Sequence, residues 1–158
     1  MSDTSLNRAM LRDKTFLEIA VTLGQLGTCS RAQVGCVITR DGRAVSWGYN
    51  GAPPGMPHCS ENGHGWTDWD EDVSVSGMLE LHGCRNATHA EANALAFAAR
   101  QGISTDAATL YVERSPCEGC ARLCIAAGIA RVVFLIPYRD ESGVTMLRNA
   151  GVEVECLS

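Results

Sequence analysis

Between Asp13 and Leu26 the apolar residues Phe16, Leu17, Ala20, Leu23 and Leu26 recur at the spacing of one helical face, and Gly27 offers a stop. A first helix over 13–26 is predicted. The stretch "VGCVITRDGRAVSWGYN" then reads as two strands around Asp41-Gly42, a dipeptide that favours a tight hairpin turn. Beyond residue 86 the pattern alternates: a helix at about 89–101, strand "TLYVE", a helix at about 117–127, strand "RVVFLI", a helix at about 142–149 and strand "VEVEC". Such alternation implies parallel pairing with helices covering the sheet, so a three-layer α/β domain with a hairpin start is expected. Residues 51–86 lose periodicity and read as a long insertion in a single domain spanning 1–158.

A chain of 158 residues is about one domain long, and 46% hydrophobic with 20% charged residues is ordinary for a soluble globular protein. No apolar run approaches the roughly 20 residues that span a bilayer, and the start "MSDTSLNRAMLRDK" lacks a secretory pattern. A cytoplasmic protein without a membrane partner is expected. The net charge of -5 and the single lysine, Lys14, argue against a broad nucleic-acid footprint, because that affinity comes from lysine and arginine releasing counterions. A small-molecule substrate is the better expectation. Eight cysteines in a reducing compartment point to metal where they cluster with histidine, and to small core hydrophobes where they stand alone.

Two short motifs carry chemistry. "SPCEGC" (115–120) has the C-x-x-C spacing that can close on zinc, and alone it fits half of a structural knuckle, a redox pair or a coincidence. His89 and Glu91 upstream shift that weighing, because H-x-E followed by P-C-x-x-C is the signature of zinc deaminases of nucleobases. Three protein ligands, His89, Cys117 and Cys120, leave a fourth tetrahedral position for water, and Glu91 is then the carboxylate that carries its proton. The competing reading makes Glu91 a capping-box residue behind Thr88, with Ser115, Pro116 and Glu118 capping the next helix. Two helix N-termini aimed at one point would also favour the thiolates.

The segments "SRAQVGCVI", "GYNGAPPGMPHC", "HAEANAL" and "SPCEGCARLCIAAGIARVVF" resemble the cytidine deaminase superfamily over about 13–155, and its deoxycytidylate branch through the GYNG loop. The resemblance implies an αβα fold with a five-stranded mixed sheet, and zinc-dependent hydrolysis of dCMP to dUMP and ammonia. It implies homo-oligomers, commonly hexamers, with dCTP and dTTP as regulators and Mg2+ accompanying the nucleotide. Asn50 should bind substrate near its sugar and base, with Gly51 shaping the loop; the Ala90 amide should meet the pyrimidine carbonyl and the Ser115 carbonyl the leaving amino group. Tyr138 matches a substrate-side aromatic approximately. A second, structural zinc is implied on Cys29, Cys59 and Cys84, completed by His82 or His58; the alternative is unrelated surface cysteines.

Where relatives usually carry threonine and leucine, this chain has Glu113 and Arg114. Arg114 is read either as a phosphate ligand or as half of a surface salt pair, with Arg31 and Arg139 as weaker phosphate candidates. Cys36, Cys124 and Cys156 are assigned to packing or left as spare thiols, and Trp66 and Trp69 to anchoring the insertion. Deamination of a modified dCMP, a free nucleoside, guanine or another aminated heterocycle would need the same signature. Nucleic-acid editing fits the acidic balance least. A non-catalytic zinc-binding module is the reading from a different class.

Overall fold

In the computed structural model, residues 3–65 and 83–157 are described. Helix α1 runs over Asp3–Gly24, starting ten residues before the predicted start at Asp13, because the preceding stretch contains no glycine or proline to interrupt it. It ends before Leu26, where the chain turns toward the sheet. Strands β1 (Gly35–Arg40) and β2 (Arg43–Tyr49) pair antiparallel around Asp41-Gly42, both in the left-handed conformation that this hairpin turn requires. A short helix α2 covers Cys59–Asn62 within the insertion. Then follow α3 (Ala90–Arg100), β3 (Thr109–Arg114), α4 (Glu118–Ala126), β4 (Arg131–Ile136), α5 (Ser142–Asn149) and β5 (Glu153–Cys156). Trp66, Trp69 and His82 lie outside the described residues.

The sheet order is β2-β1-β3-β4-β5, with β1 antiparallel to both neighbours and β3, β4 and β5 mutually parallel. It is the five-stranded mixed sheet expected. Alternate strand residues feed two cores. Cys36, Ile38, Leu110, Val112 and Val132 meet α3, α4 and α5 on one side, whereas Val37, Tyr111 and Val133 meet Leu17 and Ala20 of α1 on the other. Fully burying a leucine or valine side chain is worth about 1.5–3 kcal/mol, so these layers supply the main stabilisation. Cys36 and Cys124 are wholly buried among them, as packing residues, and Cys156 is exposed.

A polar lock fastens α1 to the sheet. Arg131 donates two hydrogen bonds of 2.9 Å to the Asp13 carboxylate, which also accepts the Tyr111 hydroxyl at 2.7 Å, while Glu153 and Glu155 flank the same guanidinium. On the opposite face α3 lies so close to β2 that a side chain at Gly48 would meet the Ala90 carbonyl and Ala94 nitrogen at 2.6 Å. The Ser46 hydroxyl donates to Ala94 O and the Asn93 amide to Tyr49 O, fixing the start of α3 against the sheet.

Candidate active site

His89 is the N-cap residue of α3 and Cys117 that of α4, so both helices open at one place on the C-terminal side of β3. This corrects the capping expectations. Thr88 instead pairs with Gly51 through two backbone hydrogen bonds, which puts Glu91 at the second helical position and removes the capping-box role. Ser115 stops short of the helix, and its hydroxyl accepts the Tyr138 N–H at 2.7 Å.

His89 Nδ1 lies 3.5 Å from Cys117 Sγ and 3.5 Å from Cys120 Sγ, and the three donor atoms fall within 4.8 Å of one another. A tetrahedral zinc ion with Zn–S near 2.3 Å and Zn–N near 2.0–2.1 Å separates its sulfur and nitrogen ligands by about 3.6 Å. The donor set therefore fits zinc in both chemistry and spacing. Cys120 is buried, whereas His89 and Cys117 line a cavity of about 310 Å³.

Electrostatics support the same arrangement. The Cys117 thiol is lowered to about 3, first because Cys120 donates to its sulfur, with burial opposing and His89 assisting. Cys120 is correspondingly pushed up by the neighbouring Cys117 thiolate and by burial. His89 is raised, first by its contact with Cys117, against burial and with help from Glu91. Metal binding displaces the protons this cluster retains. Glu91, only 4% exposed, is raised above the ordinary carboxylate value by burial, with the charge of His89 pulling it back. A carboxyl moved toward neutrality is suited to taking up a proton and giving it back.

The cavity gathers most of the residues singled out in the sequence. Asn50, Ala90, Ser115, Tyr138 and Arg114 line it together with Glu91. Asn50 is buried, its carbonyl oxygen accepting the Val34 N–H at 2.8 Å and its amide donating to Ala32 O at 2.6 Å, which leaves one N–H and one lone pair for other partners. Gly51 stands outside the lining and shapes the loop through its bridge to Thr88.

Residues 10–136 match the family model of the cytidine and deoxycytidylate deaminase zinc-binding region. The chain belongs to that family. It is a zinc-dependent hydrolytic deaminase, and His89, Cys117 and Cys120 form a donor cluster that could hold a metal ion. The deoxycytidylate deaminase of Enterobacteria phage T4 is 34% identical over 171 aligned positions, covering 91% of this chain and 89% of the phage protein. The deoxycytidylate deaminase of Saccharomyces cerevisiae is 35% identical, covering 92% of this chain and 45% of the yeast protein. Among solved structures, the dCMP deaminase of cyanophage S-TIM5 in complex with dCMP and dUMP superposes with a TM-score of 0.74 at 27% identity, covering 91% of this chain and 95% of that one.

The deaminase carries a second donor cluster. Cys29, Cys59, His64 and Cys84 bring their ligand atoms within 4.8 Å of one another, with Cys29 Sγ 3.9 Å from His64 Nδ1. Cys59 opens α2 and its sulfur accepts the Ser30 N–H at 3.3 Å. Its thiol is lowered because that N–H and Cys29 outweigh burial, while the Cys29 thiol is raised by burial. The three cysteines are those named from the sequence, and among the described residues the histidine beside them is not His58, while His82 lies outside those residues. His58 is the N-cap residue of α2 and stays out of the cluster; His64, which the sequence reading overlooked, supplies the fourth donor. Its one sequence signal is the Cys59-x4-His64 spacing, closing a short turn past α2.

Proposed function

We propose that this chain hydrolyses dCMP to dUMP and ammonia. The observation that carries the reading is the His89, Cys117 and Cys120 triad, whose His89 and Cys117 line the same cavity as the buried Glu91. Likeness to the phage and yeast deoxycytidylate deaminases, and to a solved dCMP deaminase holding dCMP and dUMP, selects the substrate among aminated heterocycles.

When bound by His89, Cys117 and Cys120, zinc supplies Lewis acidity that brings the pKa of a coordinated water toward about 7. The protein's own part follows from its residues. Glu91 takes a proton from the attacking water and returns it to the pyrimidine ring nitrogen as C4 becomes tetrahedral, then takes the remaining proton of the new C4 hydroxyl and delivers it to the amino group as the C4–N bond breaks. The Ala90 amide holds the pyrimidine carbonyl and the Ser115 carbonyl receives the leaving ammonia. Asn50 bounds the sugar side, and Tyr138 closes the substrate-facing wall. Burial of Glu91 raises its proton affinity, which strengthens it as the base that takes the proton from water.

The proposal extends to a structural zinc on Cys29, Cys59, His64 and Cys84: four protein ligands close the coordination shell and leave no position for water. That ion would tie the insertion to the loop before β1. Self-association, commonly as a hexamer in the family, is supported by apolar side chains left at the surface, among them Trp47 on the edge strand and Phe97 and Leu123 on α3 and α4. Regulation by dCTP and dTTP, with Mg2+, enters through family likeness. A cytoplasmic setting agrees with eight unpaired cysteines and with described helices too short or too polar to cross a membrane. The test is product analysis: purified protein incubated with dCMP should yield dUMP and ammonia in equal amounts, and no such product would overturn the reading.

A further inference from the structure

The cavity joins two segments that the chain keeps apart. His89, Ala90 and Glu91 open α3, whereas Asn50 follows β2, and its own hydrogen bonds run away from α3 to the loop before β1. The Asn50 N–H donates to Val34 O at 3.0 Å, its carbonyl accepts the Thr28 N–H at 3.1 Å, and its side chain is shared between Val34 N and Ala32 O. None of these bonds sets the distance from Asn50 to Glu91.

The residues on either side of Asn50 set it. Gly51 exchanges two backbone hydrogen bonds, of 2.8 and 3.1 Å, with Thr88, directly ahead of His89. On the other side Tyr49 O accepts the Asn93 side-chain amide at 2.9 Å. Asn93 also closes the first turn of α3, its backbone N–H donating to His89 O at 2.9 Å. Gly48 makes the reach possible, because its missing side chain lets β2 rest on the Ala90 carbonyl and the Ala94 nitrogen. Asn50 is thus bracketed at residues 49 and 51 by bonds to the segment that carries His89 and Glu91. The Thr88 bonds join backbone to backbone, so Asn93 is the side chain on which the brace depends. A short amide also holds its N–H in one place at a lower entropic cost than a longer side chain would.

We propose that Asn93 is a positioning residue for the deamination: standing outside the cavity lining, it holds Asn50, and with it the sugar end of the substrate, at a fixed distance from Glu91 and the metal donors. The proposal rests on the deaminase reading above and adds a residue that aligns its two halves. Ser46 offers the natural comparison. Its hydroxyl donates to Ala94 O at 2.7 Å and fastens the same strand to the same helix, but roughly 10 Å farther down β2, at about 3.3 Å per strand residue.

The test sets Asn93→Leu, which keeps the shape and loses the donor, and Asn93→Gln, which keeps a donor on a longer arm, beside Ser46→Ala and wild type. Tm, zinc content, steady-state kinetics on dCMP and calorimetric titration with dUMP are measured on the same preparations. Loss of one hydrogen bond should lower Tm by about 2–4 °C in both Asn93→Leu and Ser46→Ala. Only Asn93→Leu should also lower kcat, by about 10- to 100-fold, the cost of misplacing reacting groups by up to about 1 Å, with KM and dUMP affinity changed far less and zinc content unchanged. Asn93→Gln should recover part of the lost kcat. Wild-type kcat in Asn93→Leu, an equal loss of kcat in Ser46→Ala, or a kcat that falls only in step with zinc content would overturn the positioning role and leave the deaminase reading intact. Wild type that does not turn over dCMP would overturn both.

Discussion

The helix that supports the zinc loop touches it with no side chain between them, and replacing Gly143 with alanine tests what that contact is worth. Gly143 is buried near the start of α5, where an added Cβ would lie 2.1 Å from the Pro116 carbonyl oxygen and within 2.9 Å of the Cys117 carbonyl carbon and oxygen. These are backbone atoms of the residues that enter α4, so no side chain can rotate aside, and a shift of about 1 Å in α5 or in the Cys117 turn must follow. Overpacking of this kind costs about 1–3 kcal/mol, which for a domain of this size lowers Tm by roughly 2–4 °C per kcal/mol. Displacing a catalytic ligand by about 1 Å can also cost roughly 100-fold in rate. Thermal melts, zinc titration against a chromogenic chelator and steady-state kinetics on dCMP would be run on Gly143→Ala beside Gly151→Ala, whose added Cβ meets nothing within 4 Å and which carries a positive-φ strain that Gly143 does not. The expected result is weaker zinc retention and a lower kcat in Gly143→Ala alone. Wild-type zinc affinity and kcat in that variant would refute the claim that α5 sets the position of Cys117.

Other consequences follow from the same contacts. Asn50→Ala orphans the Val34 N–H and Ala32 carbonyl, so it should cost about 1–3 kcal/mol in denaturant unfolding and raise KM for dCMP. His64→Ala should lower bound zinc, measured by elemental analysis, from two ions per chain to one and leave the catalytic ion in place; two retained ions would reject His64 as a ligand. The Asp13 carboxyl is resisted by burial yet held below its usual 3.8 by Arg131 and Tyr111, so its contribution to stability is full above that value and disappears as pH falls through the lower folded one. Tm measured against pH should therefore drop more steeply below pH 4 in wild type than in Asp13→Asn. Tyr111, raised to about 12 from 10.0 by burial and then by Asp13, works in the opposite sense: its contribution is present below 10 and is lost as pH rises toward 12.

The motifs that were plain in the sequence are those whose geometry is local. His89 and Glu91 sit two residues apart and Cys117 and Cys120 three apart, so one helical turn fixes each pair, and the strand and helix alternation around them is enough to bring the two turns together. The caps misled because Thr88 and Ser115 are good capping types, yet their groups are taken by partners distant in sequence, the Gly51 loop and the Tyr138 N–H. His64 was hidden for a related reason: it belongs to a stretch without periodicity, and only closure of Cys29, Cys59 and Cys84 around it makes it a candidate ligand. The Asp13 and Arg131 pair is 118 residues apart in sequence, and the bond from Asn93 to Tyr49 likewise depends on the fold. Neither has a pattern that a chain read residue by residue displays.

The central claim is that Glu91 moves the protons of a reaction carried out at the His89, Cys117 and Cys120 zinc site. Glu91→Gln keeps the size of the side chain while removing its ability to exchange a proton. Zinc content and loss of ultraviolet absorbance from dCMP should be measured on the same preparations of this variant and wild type. The account predicts equal catalytic zinc in both, with kcat in the variant lower by at least about 100-fold. Turnover at the wild-type rate in zinc-loaded Glu91→Gln would contradict it.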